Sequence, residues 1–418
     1  MNLYWVVLLL AVIVEIAWAM SLKWIQLNPG VLSIGSSLVL TGLNMLMLSY
    51  AMRGIPVGTV YAIWTGLGAV GITLLGIVFF KDPANASRLA FMALIVGILA
   101  TTLVQSSSVT TALIVGLVAA PENPLPVANA VPMVMGANIG TTVTNTVVSL
   151  AHMGRREEFE RAFPVAVCHD VFNYLTVLLL LPLELTTGFL QRIAVGLGRL
   201  LEGAGGFHYD GPVATALSAT LGPVEQLAAW LFPAAQAQGI ALIAFAGGLI
   251  FTSLFLLVKV LRSVVRTRVE LLVTNVLGSS AVLSMLVGVA VTVMVQSSSI
   301  TTSLLVPLGA AGLLRLEQAL PITIGANIGT TVTALLAALA VSGPNAIVGL
   351  EIALVHLMFN LTGTALIYPL KVTRSVPLRL ARYLTTLALR SRKLTLFWVA
   401  ALFYGVPALL LFVNRLLN

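Results

Sequence analysis

Apolar residues in this chain fall in runs long enough for a bilayer-spanning helix, which takes roughly 20 residues. The runs cover 3–24, 31–51, 57–80, 89–103, 163–185, 240–261, 273–295, 346–370 and 396–417. Two zones break the pattern, from Gln105 to Leu150 and from Gln296 to Val341, where Ser, Thr, Gly and Asn interrupt the apolar residues. The pattern predicts about nine full spans and two broken zones. Residues 187–237 are richer in Gly, Ala and polar side chains, which predicts an aqueous loop with short helices. The first run lacks a basic start and a small-residue cleavage site, so it is expected to stay as a helix.

Composition sharpens this picture. Of 418 residues, 59% are hydrophobic and 9% charged, against about 25% charged in an ordinary soluble domain. With a mean hydropathy of +1.05, the chain is expected to be an all-α polytopic membrane protein, not a soluble enzyme or a nucleic-acid binder. The net charge of +8 sits between apolar runs. Lys259, Arg262, Arg266 and Arg268 form one cluster; Lys371, Arg374, Arg379, Arg382, Arg390, Arg392 and Lys393 form another. Both are expected to face the cytoplasm, setting orientation or touching anionic lipid. Cys168 is the single cysteine, which excludes an internal disulfide and a thiolate metal cage.

The strongest feature is a duplication. VQSSSVTT at 104–111 recurs as VQSSSITT at 295–302; GANIGTTVT at 136–144 recurs unchanged at 325–333; HDVFN at 169–173 recurs as HLMFN at 356–360. The offsets are 191 (105 to 296), 189 (136 to 325) and 187 (169 to 356). Three ordered matches at nearly one offset mark two structural repeats, and paired broken segments point to a transporter's binding site. A broken helix offers free N–H groups and a positive dipole end, which serines cap while presenting hydroxyls outward. Ser106, Ser107, Ser108 and Ser297, Ser298, Ser299 thus read as a neutral cradle for an oxyanion. Gln105 and Gln296 add amide oxygens suited to a hard cation. The glycines of GANIGTT permit a break or a close backbone approach, and Asn138, Asn327, Thr141, Thr142, Thr330 and Thr331 offer oxygens. The competing reading is small residues packing helices closely in lipid. Asp170 lies inside an apolar stretch, where a carboxylate is costly and functional by default; repeat two has Leu357 there. His169 and His356 read as satisfied packing histidines before metal ligands or proton carriers.

From about Val96 onward the chain resembles the type II sodium–phosphate cotransporters. The resemblance rests on the paired QSSS and GANIGTT segments, on HDVFN followed by LLPLE, and on HLMFN with the later YPL and PLRLARYL. It implies two inverted repeats containing re-entrant QSSS hairpins that hold phosphate between them. It also implies sodium held by nearby oxygens, with Asp170 and Asn173 matching a sodium-site pair. Animal members carry Gln and Asp in the short loop before HDxFN, where this chain has His152 and Arg155.

The first hundred residues resemble something else, the small multidrug resistance proteins. EIAWAMSLK at 15–23, IPVGTVYAIWTGLGAVG at 55–71 and FFKDPANASRLAFMALI at 79–95 carry the likeness. It implies a four-helix module, and Trp18, three places after Glu15, places it with the guanidinium exporters. Glu15, alone in an apolar helix, reads as a proton or cation site. Tyr61 and Trp64 are suited to cover a planar cation or to serve as interface aromatics. Asn44 stands where a small hydroxyl residue is usual. Relatives pair as antiparallel dimers, an arrangement opposed here by basic clusters that fix one orientation.

The expected domains are 1–100, the multidrug-resistance-like segment; 96–187, repeat one; 188–237, the inter-repeat loop; 238–370, repeat two; and 371–418, a basic segment with the last span. The expected function is sodium-coupled phosphate symport in the cell (inner) membrane, with no enzymatic activity. No cofactor is expected beyond Na⁺ as coupling ion. Expected partners are inorganic phosphate, sodium ions and membrane lipid, without nucleic acid, and a homodimer is left open. The alternatives are export of guanidinium-like cations through the N-terminal module, and a non-transporting membrane fusion protein.

Overall fold

The computed structural model describes residues 3–55, 86–205, 226–232, 280–341 and 343–390, with isolated positions between 60 and 79 and between 238 and 245. The expected spans at 57–80, 240–261 and 396–417, most of the 187–237 loop, the cluster Lys259, Arg262, Arg266 and Arg268, and Tyr61 lie wholly or mainly outside these residues. The described elements are helical, and the protein is an all-helical, multi-pass membrane protein with several apolar spans.

In chain order the helices are α1 (Leu3–Leu27), α2 (Val31–Ala51), α3 (Ala86–Val104), α4 (Ser107–Val118), α5 (Val127–Leu150), α6 (Arg156–Thr187), α7 (Phe189–Gly205), α8 (Ala281–Val295), α9 (Ser298–Ala310), α10 (Leu316–Ala340), α11 (Ala346–Ile367) and α12 (Lys371–Arg390). Five are long and apolar enough to cross a membrane: α1, α2, α6, α10 and α11. Helix α5 has 24 residues but is not among them; beyond the motif it shares with α10 it carries Asn129 and Asn145, which lower its hydropathy. Both GANIGTT zones, expected as broken, are uninterrupted helix. Within the two zones the helix breaks at QSSS, between α3 and α4 and between α8 and α9, and again at 119–126 and 311–315.

Helices α3–α7 and α8–α12 repeat one order. Helix α3 packs on α5 as α8 packs on α10, α5 on α6 as α10 on α11, and the short α4 and α9 lean on α10 and α5 of the opposite repeat. The outer helices also cross over: α12 packs on α6, and α7 on α11. The cores interlock accordingly. Phe359 of repeat two sits with Leu94, Ile98, Met135 and Ile139 of repeat one. Phe172 of repeat one sits with Val291, Leu305, Ile322 and Ile324 of repeat two. Each short helix ends against the other half: Arg161 Nε donates to the Ala310 carbonyl (2.9 Å) and Asn345 Nδ2 to the Ala120 carbonyl (2.7 Å).

The motif glycines explain the α3–α5 and α8–α10 contacts. A Cβ on Gly136 would run into the Leu94 carbonyl and one on Gly97 into that of Met133; Gly325 and Gly288 meet Met285 and Ile322 the same way. Their role is close approach, not a break. Helices α1 and α2 pack on each other around Leu8, Ala11, Leu48 and Ala51.

Gly325→Ala should therefore lower the melting temperature of the detergent-solubilised protein, with a cost of about 1–3 kcal/mol for overpacking. Gly116→Ala, where a methyl meets nothing within 4 Å, should be neutral or stabilising by about 0.5–1 kcal/mol. Equal melting temperatures for the two variants would disprove the close-approach role.

Candidate functional site

The two QSSS turns are built alike. Gln105 and Gln296 take left-handed backbone angles, φ 58° and 54°, which ends α3 and α8. Ser106 (φ −152°, ψ 109°) and Ser297 (φ −154°, ψ 109°) then cap α4 and α9, accepting from Val109 N and Ile300 N at 3.4 and 3.3 Å. Each Gln is held at both ends. Its Nε2 donates back to Thr102 O or Val293 O (2.7 and 2.8 Å), and its Oε1 accepts from Thr144 or Thr333 (2.8 Å each). The next two serines in each repeat, Ser107 and Ser108 or Ser298 and Ser299, are at most 6% exposed. Their hydroxyls have no hydrogen-bond partner among the described residues. With the unpaired N–H groups of a first helical turn, each turn presents donors and no cation.

The two GANIGTT asparagines reach across to the opposite repeat. Asn327 Oδ1 accepts from His169 Nε2 (2.7 Å), and its Nδ2 donates to Asn173 Oδ1 (2.7 Å). Asn138 meets His356 Nε2 and Asn360 Nδ2 at 3.3 and 3.2 Å. His169, His356, Asn173 and Asn360 are at most 1% exposed, and each histidine ring bonds to an asparagine of the opposite repeat. The threonines Thr141, Thr142, Thr330 and Thr331 donate to carbonyls of their own helices. Their lone pairs remain available.

Departures from the symmetry cluster in one place. Asp170 is fully buried; its Oδ2 accepts from Thr146 at 2.6 Å, while Oδ1 has no hydrogen-bond partner among the described residues. Asn145 beside it contacts His169 Nδ1 (2.9 Å) and accepts from Thr302 (2.9 Å). Repeat two carries Ala334, Leu335 and Leu357 at the places of Asn145, Thr146 and Asp170. The groups that would flank this place in the other half, His356 Nδ1 and Asn360 Oδ1 of repeat two and Thr111 Oγ1 of repeat one, find no partner among the described residues. Sequence reasoning missed Asn145, Thr146, Thr144, Thr333 and Thr302. Aligning TNT at 144–146 with TAL at 333–335 shows the first two as an asymmetry beside that of Asp170 and Leu357.

The loop before α6 forms an ion-pair cluster. Glu158 accepts from Arg155 Nη1 (2.7 Å) and pairs with His152 Nδ1 (3.1 Å). At the N-terminal end, Asn44 Nδ2 donates to the Glu15 carboxylate, and Trp64 packs against the α1–α2 cluster. Trp18 is half-buried on α1, one turn from Glu15, and its carbonyl accepts from Ser21 at 2.6 Å.

Comparison with known proteins agrees with the two-part architecture. Residues 84–205 and 249–406 match the Na+/Pi-cotransporter family, about two thirds of the chain. The chain belongs to that family. Residues 3–95 match the Small Multidrug Resistance protein family, so this cotransporter-family member carries an N-terminal domain of that kind. It is similar to Sodium-dependent phosphate transport protein 2A of Ovis aries, 35% identical over 399 residues, covering 79% of this chain and 61% of the relative. It is 31% identical to Sodium-dependent phosphate transport protein 2B of Homo sapiens over 419 residues, covering 79% and 59%. For Sodium-dependent phosphate transport protein 2C of Rattus norvegicus the figures are 34% over 358 residues, 69% and 59%. The chain thus spans about three fifths of the length of these relatives. No solved structure matches it.

The cross-repeat bonds predict unequal costs. Asn327→Ala leaves His169 Nε2–H and Asn173 Oδ1 buried without partners, at about 1–3 kcal/mol each. Asn138→Ala removes longer bonds. Thermal melts should show Asn327→Ala as the more destabilised; the reverse order would overturn the assigned bonding.

Proposed function

We propose that this protein is a sodium-coupled symporter of inorganic phosphate. The observation that carries the reading is the duplicated QSSS turn, a left-handed Gln and a serine-capped helix start repeated with nearly the same backbone angles. In this reading α3–α4 and α8–α9 are re-entrant hairpins of two inverted repeats, and irregular backbone at membrane depth lines a cavity. Phosphate is held by the hydroxyls and free N–H groups of Ser106, Ser107, Ser108, Ser297, Ser298 and Ser299. Neutral donors hold an oxyanion without trapping it as an arginine pair would.

Sodium is held by oxygens of Gln105, Gln296, Asp170, Asn173, Thr141, Thr330, Asn138 and Asn327. The open Oδ1 of Asp170 supports a cation there, because a buried carboxylate in an apolar setting calls for a positive partner. In the loop at 152–158, Arg155 and His152 already occupy Glu158, so no sodium ligand comes from it. The protein is assigned to the cell (inner) membrane, with the basic residues of α12 on the cytoplasmic side and membrane lipid around the apolar spans. The domain limits are those of the sequence pattern, with a four-helix module at 1–100. Trp18 supports the guanidinium-exporter subgroup for that module. Glu15 has a partner in Asn44 within the same copy, which supports a module that does not drive phosphate uptake. A homodimer fits this arrangement.

The defining test is phosphate uptake into proteoliposomes under an inward sodium gradient. Uptake that ignores sodium, or is absent, refutes the reading. Ser107→Ala combined with Ser298→Ala should abolish uptake with membrane insertion intact; a wild-type rate in the double variant would rule out the serine cradle. Asp170→Gly should move less positive charge per phosphate in voltage-clamped membranes, and an unchanged ratio would count against Asp170 as a sodium ligand. Glu15→Gln should leave phosphate uptake nearly unchanged, and Glu15-dependent guanidinium resistance in cells expressing this chain would favour the exporter reading.

A further inference from the structure

Hydrogen bonds around His169 run in one continuous direction. Asn145 Nδ2 is only a donor, so His169 Nδ1 accepts from it at 2.9 Å. The ring proton therefore sits on Nε2 and is donated to Asn327 Oδ1 at 2.7 Å. Asn327 Nδ2 donates to Asn173 Oδ1 at 2.7 Å, and Asn173 Nδ2 to the Asn138 carbonyl at 2.8 Å. At the other end, the single proton of Thr302 has two acceptors in reach, Asn145 Oδ1 at 2.9 Å and the Ser298 carbonyl at 2.8 Å. One chain of bonds thus runs from Thr302, on α9 one turn beyond Ser298 of the second QSSS turn, through Asn145 and His169 to Asn173. The next residue along α5, Thr146, holds Asp170.

The matching path in the other half is cut. Ala334 stands at the place of Asn145, and both groups that flank that place, His356 Nδ1 and Thr111 Oγ1, lack partners among the described residues. Repeat two's hairpin therefore touches the Asp170 and Asn173 region through a polar path, whereas repeat one's hairpin has no equivalent.

We propose that Asn145 is a positioning residue that couples the second QSSS hairpin to the cation pocket at Asp170 and Asn173, and that only this hairpin is so coupled. The proposal rests on the sodium–phosphate reading above. Thr302 is the switch: donating to Asn145 ties α9 to α5 and α6, and donating to Ser298 releases it. A cation that draws on the Asn173 amide oxygen competes with the Asn327 donor, and the disturbance passes along the chain to Thr302. A bond chain with two discrete settings carries coupling of this kind.

The test compares three variants by phosphate uptake over a range of sodium concentrations. Asn145→Ala and Thr302→Val should raise the sodium KM roughly tenfold, within the usual range of coupling strengths. The phosphate KM at saturating sodium should stay near wild type. Thr111→Val, which removes a hydroxyl without a partner, should change neither. Nitrogen NMR of ¹⁵N-histidine-labelled protein supplies a readout independent of transport. His169 should appear as the Nε2–H tautomer with a hydrogen-bonded Nδ1, and Asn145→Ala should shift its Nδ1 signal. Wild-type protein without sodium-dependent uptake refutes the symporter reading, whereas an unmoved His169 signal in Asn145→Ala refutes this proposal alone. Unchanged sodium dependence in Asn145→Ala, with an active wild type, also refutes it. An equal effect of Thr111→Val and Thr302→Val would overturn the one-sided coupling.

Discussion

A buried amide or imidazole must find a hydrogen-bond partner, because apolar surroundings offer none and an orphaned group costs on the order of 1–3 kcal/mol. In this protein that requirement joins the two halves. Asn327 has no sufficient partner within its own helix, and it is satisfied only by His169 and Asn173 of the other repeat. Asn138 makes the reciprocal contact with His356 and Asn360. Hydrophobic burial adds little direction inside a bilayer, where lipid is as apolar as a neighbouring helix. Directional bonds between polar side chains, with the glycine contacts that bring α3 to α5 and α8 to α10, set how the repeats lock.

The duplication gives a scaffold that is symmetric in backbone and unequal in chemistry. The QSSS turns agree within a few degrees. The polar cluster around Asp170 is not shared. Asn145, Thr146 and Asp170 belong to repeat one alone, and repeat two answers them with Ala334, Leu335 and Leu357. His356 Nδ1 of repeat two and Thr111 Oγ1 of repeat one, without partners among the described residues, are what remain when the amide between them is lost from a duplicated frame.

The N-terminal domain joins this scaffold through a single helix. The two family matches overlap at residues 84–95, and α3 begins at Ala86. One helix therefore closes the first domain and leads into the first QSSS turn. Its Gly97 meets α5 backbone to backbone, which packs it within repeat one. Membrane helices allow such a join because each satisfies its own backbone hydrogen bonds.

Much of the arrangement is legible in the amino-acid order. Spans at 3–24, 31–51 and 346–370 reappear as α1, α2 and α11, since a long apolar run has few stable forms in lipid. The duplication and the breaks at Gln105 and Gln296 are also visible there, because local polar residues and helix caps act within a turn. The GANIGTT zones mislead: Gly and Asn look like helix breakers, yet each sits inside a helix against a neighbour distant in sequence, while the threonines bond back to their own helix. The partners of Asn145, Thr146 and Thr302 were decided by the tertiary structure alone. Thr302 and Asn145 lie 157 residues apart, and no local rule says which of many buried polar groups will meet. That depends on how two repeats interlock, which packing of the whole chain determines.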